Sequence, residues 1–477
     1  MDQMVDEVVK KFNRPELRKF YYTALKNKED VEYRQAILVD LRNERVLEAF
    51  RVFSKSMESA IRLLQEAEKQ YEFQREGWFL EGIRRYLDSV LELYSTLGSL
   101  PINSEGLLSF RNYLENYITS SEFTHARKSA EDTHLQLARL SFEMVLGNGK
   151  ITVRKASGGE DYSKKIESLF EKFNEDSDSR IPKQKEVSEA NHVEAAILSL
   201  LSKIFAEEFE SLKNFYTKLR EFPDKVLLRF IDELQFYLSY LDYIAPLEKR
   251  GLKFCVPSVS DEHTLLCQDG FDVVLAHKLA EENKDVVTND IQLSEKERIV
   301  VITGANSGGK STFSRMVGQI HYLASLGLVV PGSSACLQLP DEIFTHFEKS
   351  EDVENLRGKL EDDMVRIKRI LDNSTSRSLI IINEMLSSTT AHDAYFIGRE
   401  ILGRISGIGS LCLYVTFVDE LADVPGSVSM VSLTDPSDPT RRTYKVIRMK
   451  PNGKAYSFAL AKKYRLTYED LLVRVRK

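Results

Sequence analysis

An α-helical region followed by an α/β domain is the fold that the sequence predicts. Up to about residue 250, apolar residues recur three and four positions apart, which places them along one face of long helices. After about residue 252, short β-branched or apolar runs at 299–302, 379–382 and 411–415 alternate with helix-period segments. Uninterrupted apolar runs are typical of strands that are buried on both faces of a sheet. We therefore predict a helical region at 1–255 and an α/β domain at 256–477.

Length and composition are those of a globular protein. The 477 residues include 66 Lys and Arg against 73 Asp and Glu, which gives a formal net charge of -7, and 42% are hydrophobic. Such a length exceeds one ordinary core, so two or three domains are expected. There is no uncharged apolar run of membrane-spanning length and no signal-peptide pattern, so we expect a cytoplasmic protein without membrane contact. The four cysteines have neither metal-binding nor redox spacing, which favours reduced thiols.

Three long amphipathic segments make up most of the predicted helical region. They cover residues 46–71, 79–93 and 193–219. Helices of this length fit an extended lever arm or a compact bundle, and the pattern does not separate the two. Residues 147–159 alternate between polar and apolar and end in a Gly-rich turn, which predicts a hairpin or tip within 147–190.

Positive charge is concentrated at the C-terminus. Residues 440–477 carry twelve Lys or Arg and only two acidic residues. This excess fits a solvated helical tail, or a surface for an acidic partner or a phosphate backbone.

The first apolar run of the α/β domain leads into a glycine-rich loop. Residues 304–312 fit G-x-x-x-x-G-K-[ST], between a predicted strand and a predicted helix. The N–H groups of such a loop and the N-terminus of the next helix bind phosphate oxygens, so we predict a site for ATP and Mg²⁺. Lys310 would reach the β- and γ-phosphates, and Ser311 would hold Mg²⁺. The candidate nucleotide-binding residues are Gly304, Asn306, Gly308, Gly309, Lys310, Ser311, Thr312 and Thr416.

The second apolar run ends in Asn383-Glu384, at the place where such folds hold the metal and position the attacking water. Asn383 replaces the usual carboxylate and could contact Mg²⁺ only through a bound water. Glu384 is therefore the candidate general base, and together with Lys310 it is a candidate catalytic residue; it could instead cap a helix. Thr416, at the end of the third run, could sense the γ-phosphate or be an ordinary strand-end hydroxyl.

These motifs, in this order, resemble the ATPase domain of the MutS family, whose members are relatives of ABC-type ATPases. Residues 302–312 are close to the family's I-T-G-P-N-x-G-G-K-S-T, and residues 323–331 to its L-A-x-x-G-x-x-V-P. Residues 341–345 resemble its D-x-I-F-T, and Asn289-Asp290-Ile291 matches its N-D-I. The resemblance covers about Phe271 to the C-terminus.

The resemblance implies an α/β P-loop (ABC-type) ATPase domain at 256–477, with C-terminal dimerisation helices from about 453. It implies less strongly, mainly through residues 33–41, that 1–255 are a helical core and lever or clamp region. A homodimer with two composite ATP sites is the expected assembly. Phe271, just before the predicted sheet, is a candidate for stacking on adenine.

Three departures from the family pattern imply slow hydrolysis. Gly358 stands where the family has a serine that contacts the partner subunit's γ-phosphate, Asn383 replaces its aspartate, and Phe417 replaces its histidine. Lys359, beside the lost serine, could approach the partner subunit's nucleotide or be a solvated lysine.

Our first functional hypothesis is a MutS-like, ATP-dependent clamp on DNA, related to mismatch repair or DNA damage. The motif at residues 33–41, which resembles the family's core region, begins within the first forty residues, so we expect the family's mismatch-reading domain to be absent. We therefore expect the protein to recognise DNA structure rather than a single mispair. Lys150, Arg154 and Lys155 are candidate DNA contacts. The alternatives are a nucleotide-gated scaffold that binds a protein partner with little turnover, and a P-loop kinase acting on a small substrate.

Overall fold

The computed structural model describes residues 2–12, 14–147, 150–156, 192–347, 358–438, 440–451, 464–468 and 471. Most of the helical residues precede residue 250 and most strands follow it, in agreement with the predicted order of a helical region and an α/β region. Within the described residues, no helix combines the length and the apolar character that crossing a membrane requires.

The described helices are α1 (Asp2–Phe12), α2 (Arg18–Tyr21), α3 (Lys28–Leu41), α4 (Glu44–Ala67), α5 (Gln74–Leu97), α6 (Glu105–Thr119), α7 (Ser121–Ala138), α8 (His192–Ile204), α9 (Ala206–Leu219), α10 (Lys225–Lys249), α11 (Val273–Glu281), α12 (Lys310–Ser325), α13 (Lys359–Asn373) and α14 (Ala391–Ile408). The described strands are β1 (Phe142–Gly147), β2 (Lys150–Lys155), β3 (Phe254–Cys255), β4 (Ser258–Ser260), β5 (Leu265–Gly270), β6 (Asn289–Leu293), β7 (Ile299–Gly304), β8 (Val330–Pro331), β9 (Ser334–Gln338), β10 (Ile343–His346), β11 (Leu379–Asn383), β12 (Leu411–Val415), β13 (Ser427–Thr434) and β14 (Arg442–Arg448).

The chain divides into two compact units that do not follow a single cut in the sequence. The first unit contains residues 1–42, 103–106 and 236–477, and the second contains 43–102 and 107–235. The first unit therefore combines the α/β segment with the N-terminal helices α1 to α3. The boundary near residue 255 and the dimerisation helices from about 453 stay predictions, and most residues of those helices lie outside the described ones.

The second unit is built on amphipathic helices. The stripe predicted on α4 is buried at Phe50, Phe53 and Met57, and α5 buries Ile83 and Tyr86. Asn43 caps α4, since its side chain accepts from the backbone N–H groups of residues 45 and 46.

The predicted third long helix is wrong in one respect, because it is two helices. Phe205, between α8 and α9, has φ -119° and ψ 55°, outside the helical region. Its ring is buried in one cluster with Leu201 and Phe209. The apolar spacing of three and four continues across this break, so periodicity alone could not reveal it.

A six-stranded sheet forms the centre of the first unit. Its order is β10-β11-β12-β7-β13-β14, in which the first five strands are parallel and β14 runs antiparallel to β13. Every residue of β11 and β12 is buried. Because carboxyl ends of parallel strands lie at the same edge, the chain leaves β7, β11 and β12 together.

A smaller sheet, of order β4-β9-β5-β6, belongs to the same unit. Asn289, the first residue of β6, connects it to the edge strand β14. Its Nδ2 donates to the carbonyl oxygen of Tyr444 at 3.2 Å, and its Oδ1 accepts from the N–H of Val446 at 2.8 Å. The asparagine of the N-D-I motif thus forms hydrogen bonds with backbone groups at the edge of the six-stranded sheet.

Acid should destabilise the first unit through His321, which is buried in α12. Its Nδ1 lies 2.8 Å from the carbonyl oxygen of Val317, and burial lowers the pKa of this imidazole to about 4. Because an unfolded histidine titrates near pH 6.5, the unfolded chain binds more protons between pH 6.5 and 4. The stabilisation is therefore present above pH 6.5 and is lost as the pH falls. From pH 7 to pH 5, His321 should cost about 2 kcal/mol of unfolding free energy.

Urea unfolding of the full chain at both pH values measures this loss. A His321→Gln variant should lose less stability between pH 7 and pH 5 than the unsubstituted protein does. His392→Gln, at an exposed position of α14, is the control and should leave the pH dependence unchanged. An equal pH dependence in all three proteins would contradict the assignment to His321.

Candidate nucleotide-binding site

The loop between β7 and α12 has a backbone that favours glycine. Gly304 and Gly309 have φ of +110° and +98°, in the region that side chains other than glycine rarely adopt. A Cβ on Gly308 would lie 2.4 Å from Oγ of Ser432 and 2.8 Å from the carbonyl oxygen of Ala305. The loop therefore packs tightly against β13, the strand beside β7.

Gly308→Ala should lower both stability and nucleotide affinity, because the new methyl group displaces the loop from β13. Overpacking of this kind costs about 1–3 kcal/mol of unfolding free energy. Gly403→Ala, in α14, is a matched control, since nothing lies within 4 Å of its added Cβ. Thermal unfolding and ATP titration of both variants test the contact, and equal behaviour of the two would contradict it.

Lys310, the first residue of α12, folds back over the loop. Its Nζ lies 3.1 Å from the carbonyl oxygen of Gly304, 3.2 Å from that of Ala305 and 3.5 Å from Oδ1 of Asn306. The side chain is only 3% exposed. Burial lowers the pKa of Lys310, and the negative charge of Glu384 opposes this shift. The ammonium group is thus held among oxygen atoms at the place where the loop meets the helix.

Glu384 follows β11 and faces this lysine. Its Oε1 lies 3.8 Å from Nζ of Lys310, and its side chain is 38% exposed, so water can reach it. Its backbone N–H donates to the carbonyl oxygen of Val415. Glu384 and Leu386 have φ of +53° and +67°, although neither is glycine. Left-handed residues of this kind cost about 1–3 kcal/mol each and cluster at functional sites.

Leu386 explains how this strained turn is held. Its side chain is fully buried in a core cluster that includes residues of β11 and β12. Burial of a leucine is worth about 1.5–3 kcal/mol, which offsets the cost of its backbone conformation. The turn that carries Glu384 is thereby fixed to the core.

A cavity of about 640 Å³ opens onto the loop. This volume is within the usual range for ligand sites. One part of the lining is apolar, and another carries the loop, Lys310 and Glu384. The lining residues are Asp272, Leu275, Leu279, Lys284, Asp285, Val286, Val287, Asn289, Ser307, Gly308, Gly309, Lys310, Ser311, Thr312, Glu384 and Tyr444.

An irregularity in β14 brings that strand to the loop. The pairing of β13 with β14 shifts from Ser432↔Val446 to Thr434↔Arg442, so three residues of β14 lie opposite a single residue of β13. Tyr444, at the centre of this bulge, has φ +58°. Its Cα would lie 3.6 Å from a Cβ on Gly309. Arg442 donates from Nε to the carbonyl oxygen of Asn306 at 3.0 Å.

The candidate residues from the sequence occupy different places around this cavity. Gly308, Gly309, Lys310, Ser311, Thr312 and Glu384 line it, whereas Gly304, Asn306, Asn383 and Thr416 lie outside its lining. Thr416 is buried, and its Oγ1 accepts from the N–H of Val418 at 3.0 Å. Phe417, in the place of the family histidine, is 46% exposed.

The metal prediction rests on Ser311 and Asn383. Ser311 lines the cavity, and Oδ1 of buried Asn383 has no hydrogen-bond partner among the described residues. A buried orphan oxygen of this kind fits a metal-bound water. The described residues contain no group of three or more His, Cys, Asp and Glu side chains that could hold a metal by themselves. Phosphate oxygens would have to complete the coordination.

Two further predictions have different outcomes. Phe271 is 2% exposed and packs edge-on against Phe254 at 5.3 Å between ring centres. It does not line the cavity, so the proposed stacking on adenine is wrong. The side chain of Lys359 lies outside the described residues, so its role stays a prediction. Sequence reasoning missed Val286, Val287, Arg442 and Tyr444, for which no local motif gave a signal.

Comparison with known proteins relates this region to one family. Residues 300–462 match the family model of MutS domain V. The DNA mismatch repair protein MutS of Aquifex pyrophilus is 30% identical over 311 residues, which cover 64% of this chain and 34% of that protein. The MutS proteins of Orientia tsutsugamushi strains Ikeda and Boryong are each 30% identical over 214 residues, which cover 44% of this chain and 24% of those proteins. The matched part thus spans about a third or less of these relatives. These similarities support a relationship to the MutS family.

Proposed function

We propose that this chain is a MutS-like protein that binds ATP with Mg²⁺ and hydrolyses it slowly to ADP and phosphate. The observation that carries the proposal is the loop 304–309, which joins a buried strand to α12 beside a cavity that Lys310 and Glu384 both line. A loop of this kind offers N–H groups, a helix N-terminus and a lysine to one phosphate chain.

The cavity suggests how the nucleotide is bound. Its phosphates would lie along residues 307–312, where Lys310 exchanges carbonyl oxygens for phosphate oxygens. The base and ribose would lie toward Val286, Val287 and Tyr444, because an aromatic ring and aliphatic side chains suit a flat, mainly apolar group. Ser311 would hold Mg²⁺ directly and Asn383 through a water. Bound Mg²⁺ would neutralise charge on the β- and γ-phosphates.

Glu384 is the proposed general base. Its carboxylate would accept a proton from the water that attacks the γ-phosphate, and the cavity exposes it to that water. Its strained and anchored turn restricts the positions that the carboxylate can adopt. Asn383, Gly358 and Phe417 lack the groups that their family counterparts offer, which supports slow turnover.

DNA binding and assembly as a homodimer are part of the proposal. They rest on the resemblance and on the similarity to proteins named DNA mismatch repair protein MutS. Two of the candidate DNA contacts have local partners: Arg154 bonds Glu143 at 2.8 Å, and Nζ of Lys155 lies 5.3 Å from the ring centre of Phe205. The ion pair of the exposed Arg154 is of a weak type, so a phosphate could displace Glu143. Recognition of DNA structure through the backbone would be salt-dependent.

Steady-state ATP hydrolysis with plain duplex DNA, with branched DNA and without DNA tests the proposal. Lys310→Met serves as the blank. We expect a low basal rate that rises with DNA at low salt. ATP binding without turnover above the blank would contradict hydrolysis, and undetectable binding to both DNAs at low salt would contradict the clamp.

A nucleotide-gated scaffold that binds a protein partner is the second candidate. Asn383 favours it, because an uncharged residue at the end of β11 can hold a nucleotide complex without assisting its hydrolysis. This candidate predicts tight ATP binding and no effect of DNA on the rate.

A further inference from the structure

Two cationic side chains contact the same residue of the loop, Asn306. Arg442 donates from Nε to the carbonyl oxygen of Asn306 at 3.0 Å, and Oδ1 of the same asparagine lies 3.5 Å from Nζ of Lys310. The positive charge of Arg442 also contributes to the lowered pKa of Lys310. Arg442 and Lys310 therefore contact the same residue of the loop, although they are 132 positions apart in the sequence.

The bulge in β14 determines the position of Arg442 along the strand. In a regular ladder continued from Ser432↔Val446, Arg442 would lie opposite residue 436, beyond the end of β13, but the bulge places three residues of β14 opposite Leu433. Bulges next to functional sites commonly redirect a side chain. Arg442 itself returns to the ladder opposite Thr434, and Thr443 Oγ1 donates to the carbonyl oxygen of Leu433 at 2.9 Å. The side chain is thus carried by a strand that is fixed on both sides of the bulge.

On the basis of the proposed nucleotide site, we propose that Arg442 is a second phosphate-binding cation, supplied by the same chain, for the β- or γ-phosphate of the bound nucleotide. A guanidinium offers five N–H donors in a planar fork, and a phosphate binds two of them side by side. Arg442 is bonded to Asn306, the residue directly before the segment 307–312 along which the phosphates would lie. The positive charge of Arg442 acts on Lys310 together with the opposite charges of Glu384 and Asp419.

Arg442→Gln and Arg442→Lys separate charge from shape. The amide of glutamine can still donate to the carbonyl oxygen of Asn306, whereas lysine keeps the charge without the planar fork. If Arg442 has only a structural role, glutamine should be the better substitute. If Arg442 contacts a phosphate, lysine should be the better substitute. We expect Arg442→Gln to weaken ATP and ADP binding about tenfold and Arg442→Lys only about threefold.

Equilibrium titration with ATP and with ADP, below the unfolding temperature of each variant, measures these changes. Arg441→Gln is the matched control, since that neighbouring side chain is exposed, and it should bind like the unsubstituted protein. Unchanged affinity in Arg442→Gln, or a loss in Arg442→Lys as large as in Arg442→Gln, would overturn the inference. Failure of the proposed function is a separate result, because the unsubstituted protein would then bind no ATP.

Discussion

Lys310→Met should weaken ATP binding by about 100-fold or more, the largest loss of affinity expected from a single substitution in this chain. Methionine fills a similar volume but removes a charge that is 3% exposed and surrounded by oxygen atoms. Hydrogen bonds to charged groups are worth about 1.5–3 kcal/mol each, and Lys310 would make at least one to the phosphates. The measurement is an ATP titration, with folding checked by thermal unfolding in the absence of nucleotide.

Lys278→Met is a suitable control for this prediction. Lys278 is an exposed residue of α11, the helix that supplies Leu275 and Leu279 to the cavity. Its variant should bind ATP normally. If Lys310→Met bound ATP as tightly as Lys278→Met, the loop would not be the phosphate site, and the proposed function would fail together with the inference about Arg442.

The loop could be predicted from the sequence because its determinants are local. Nine consecutive residues carry the glycines, the lysine and the hydroxyls, and the apolar run before them specifies the buried strand. The alternation of apolar runs and helical segments likewise predicted a helical region followed by an α/β region. The roles assigned to Lys310, Ser311 and Glu384 stay predictions, although the structure places all three at one cavity.

The rest of the site could not be predicted because it depends on contacts between distant segments. Arg442 and Tyr444 reach the loop only through the order of β7, β13 and β14 and through a bulge that no turn motif announces. Val286 and Val287 lie in an irregular segment without periodicity. Asn289 was recognised as part of a motif, but its two hydrogen bonds go to residues more than 150 positions away.

Left-handed backbone at Glu384 and Leu386 shows a second limit of sequence reasoning. Non-glycine residues are poor candidates for positive φ, so the local sequence argues against the observed turn. Tertiary burial of Leu386 in the core overrides that preference.

Glu384→Gln should lower kcat for ATP hydrolysis by about 100-fold while ATP affinity is kept or rises slightly. General-base catalysis typically contributes 10²- to 10⁴-fold, and glutamine keeps the size of the side chain but cannot accept the proton at neutral pH. Affinity should not fall, because the substitution removes a negative charge 3.8 Å from Lys310, close to where the phosphates would lie. Single-turnover hydrolysis and ATP titration measure the two effects separately. Glu400→Gln, on the exposed side of α14, is the control and should leave both unchanged.

Normal ATP turnover by the Glu384→Gln variant would indicate that another carboxylate is the general base. Asp419 is the candidate to test. It follows β12, its negative charge acts on Lys310, and burial raises its own pKa. A carboxyl with a raised pKa is a better proton acceptor, so Asp419→Asn would then lower kcat in place of Glu384→Gln. A further outcome is that the unsubstituted protein, Glu384→Gln and Asp419→Asn all bind ATP but show no more ATP turnover than the Lys310→Met blank. In that case no carboxylate is acting as a base. The nucleotide would then serve as a ligand that holds one conformation, and Asn383 would mark the loss of hydrolysis in this chain.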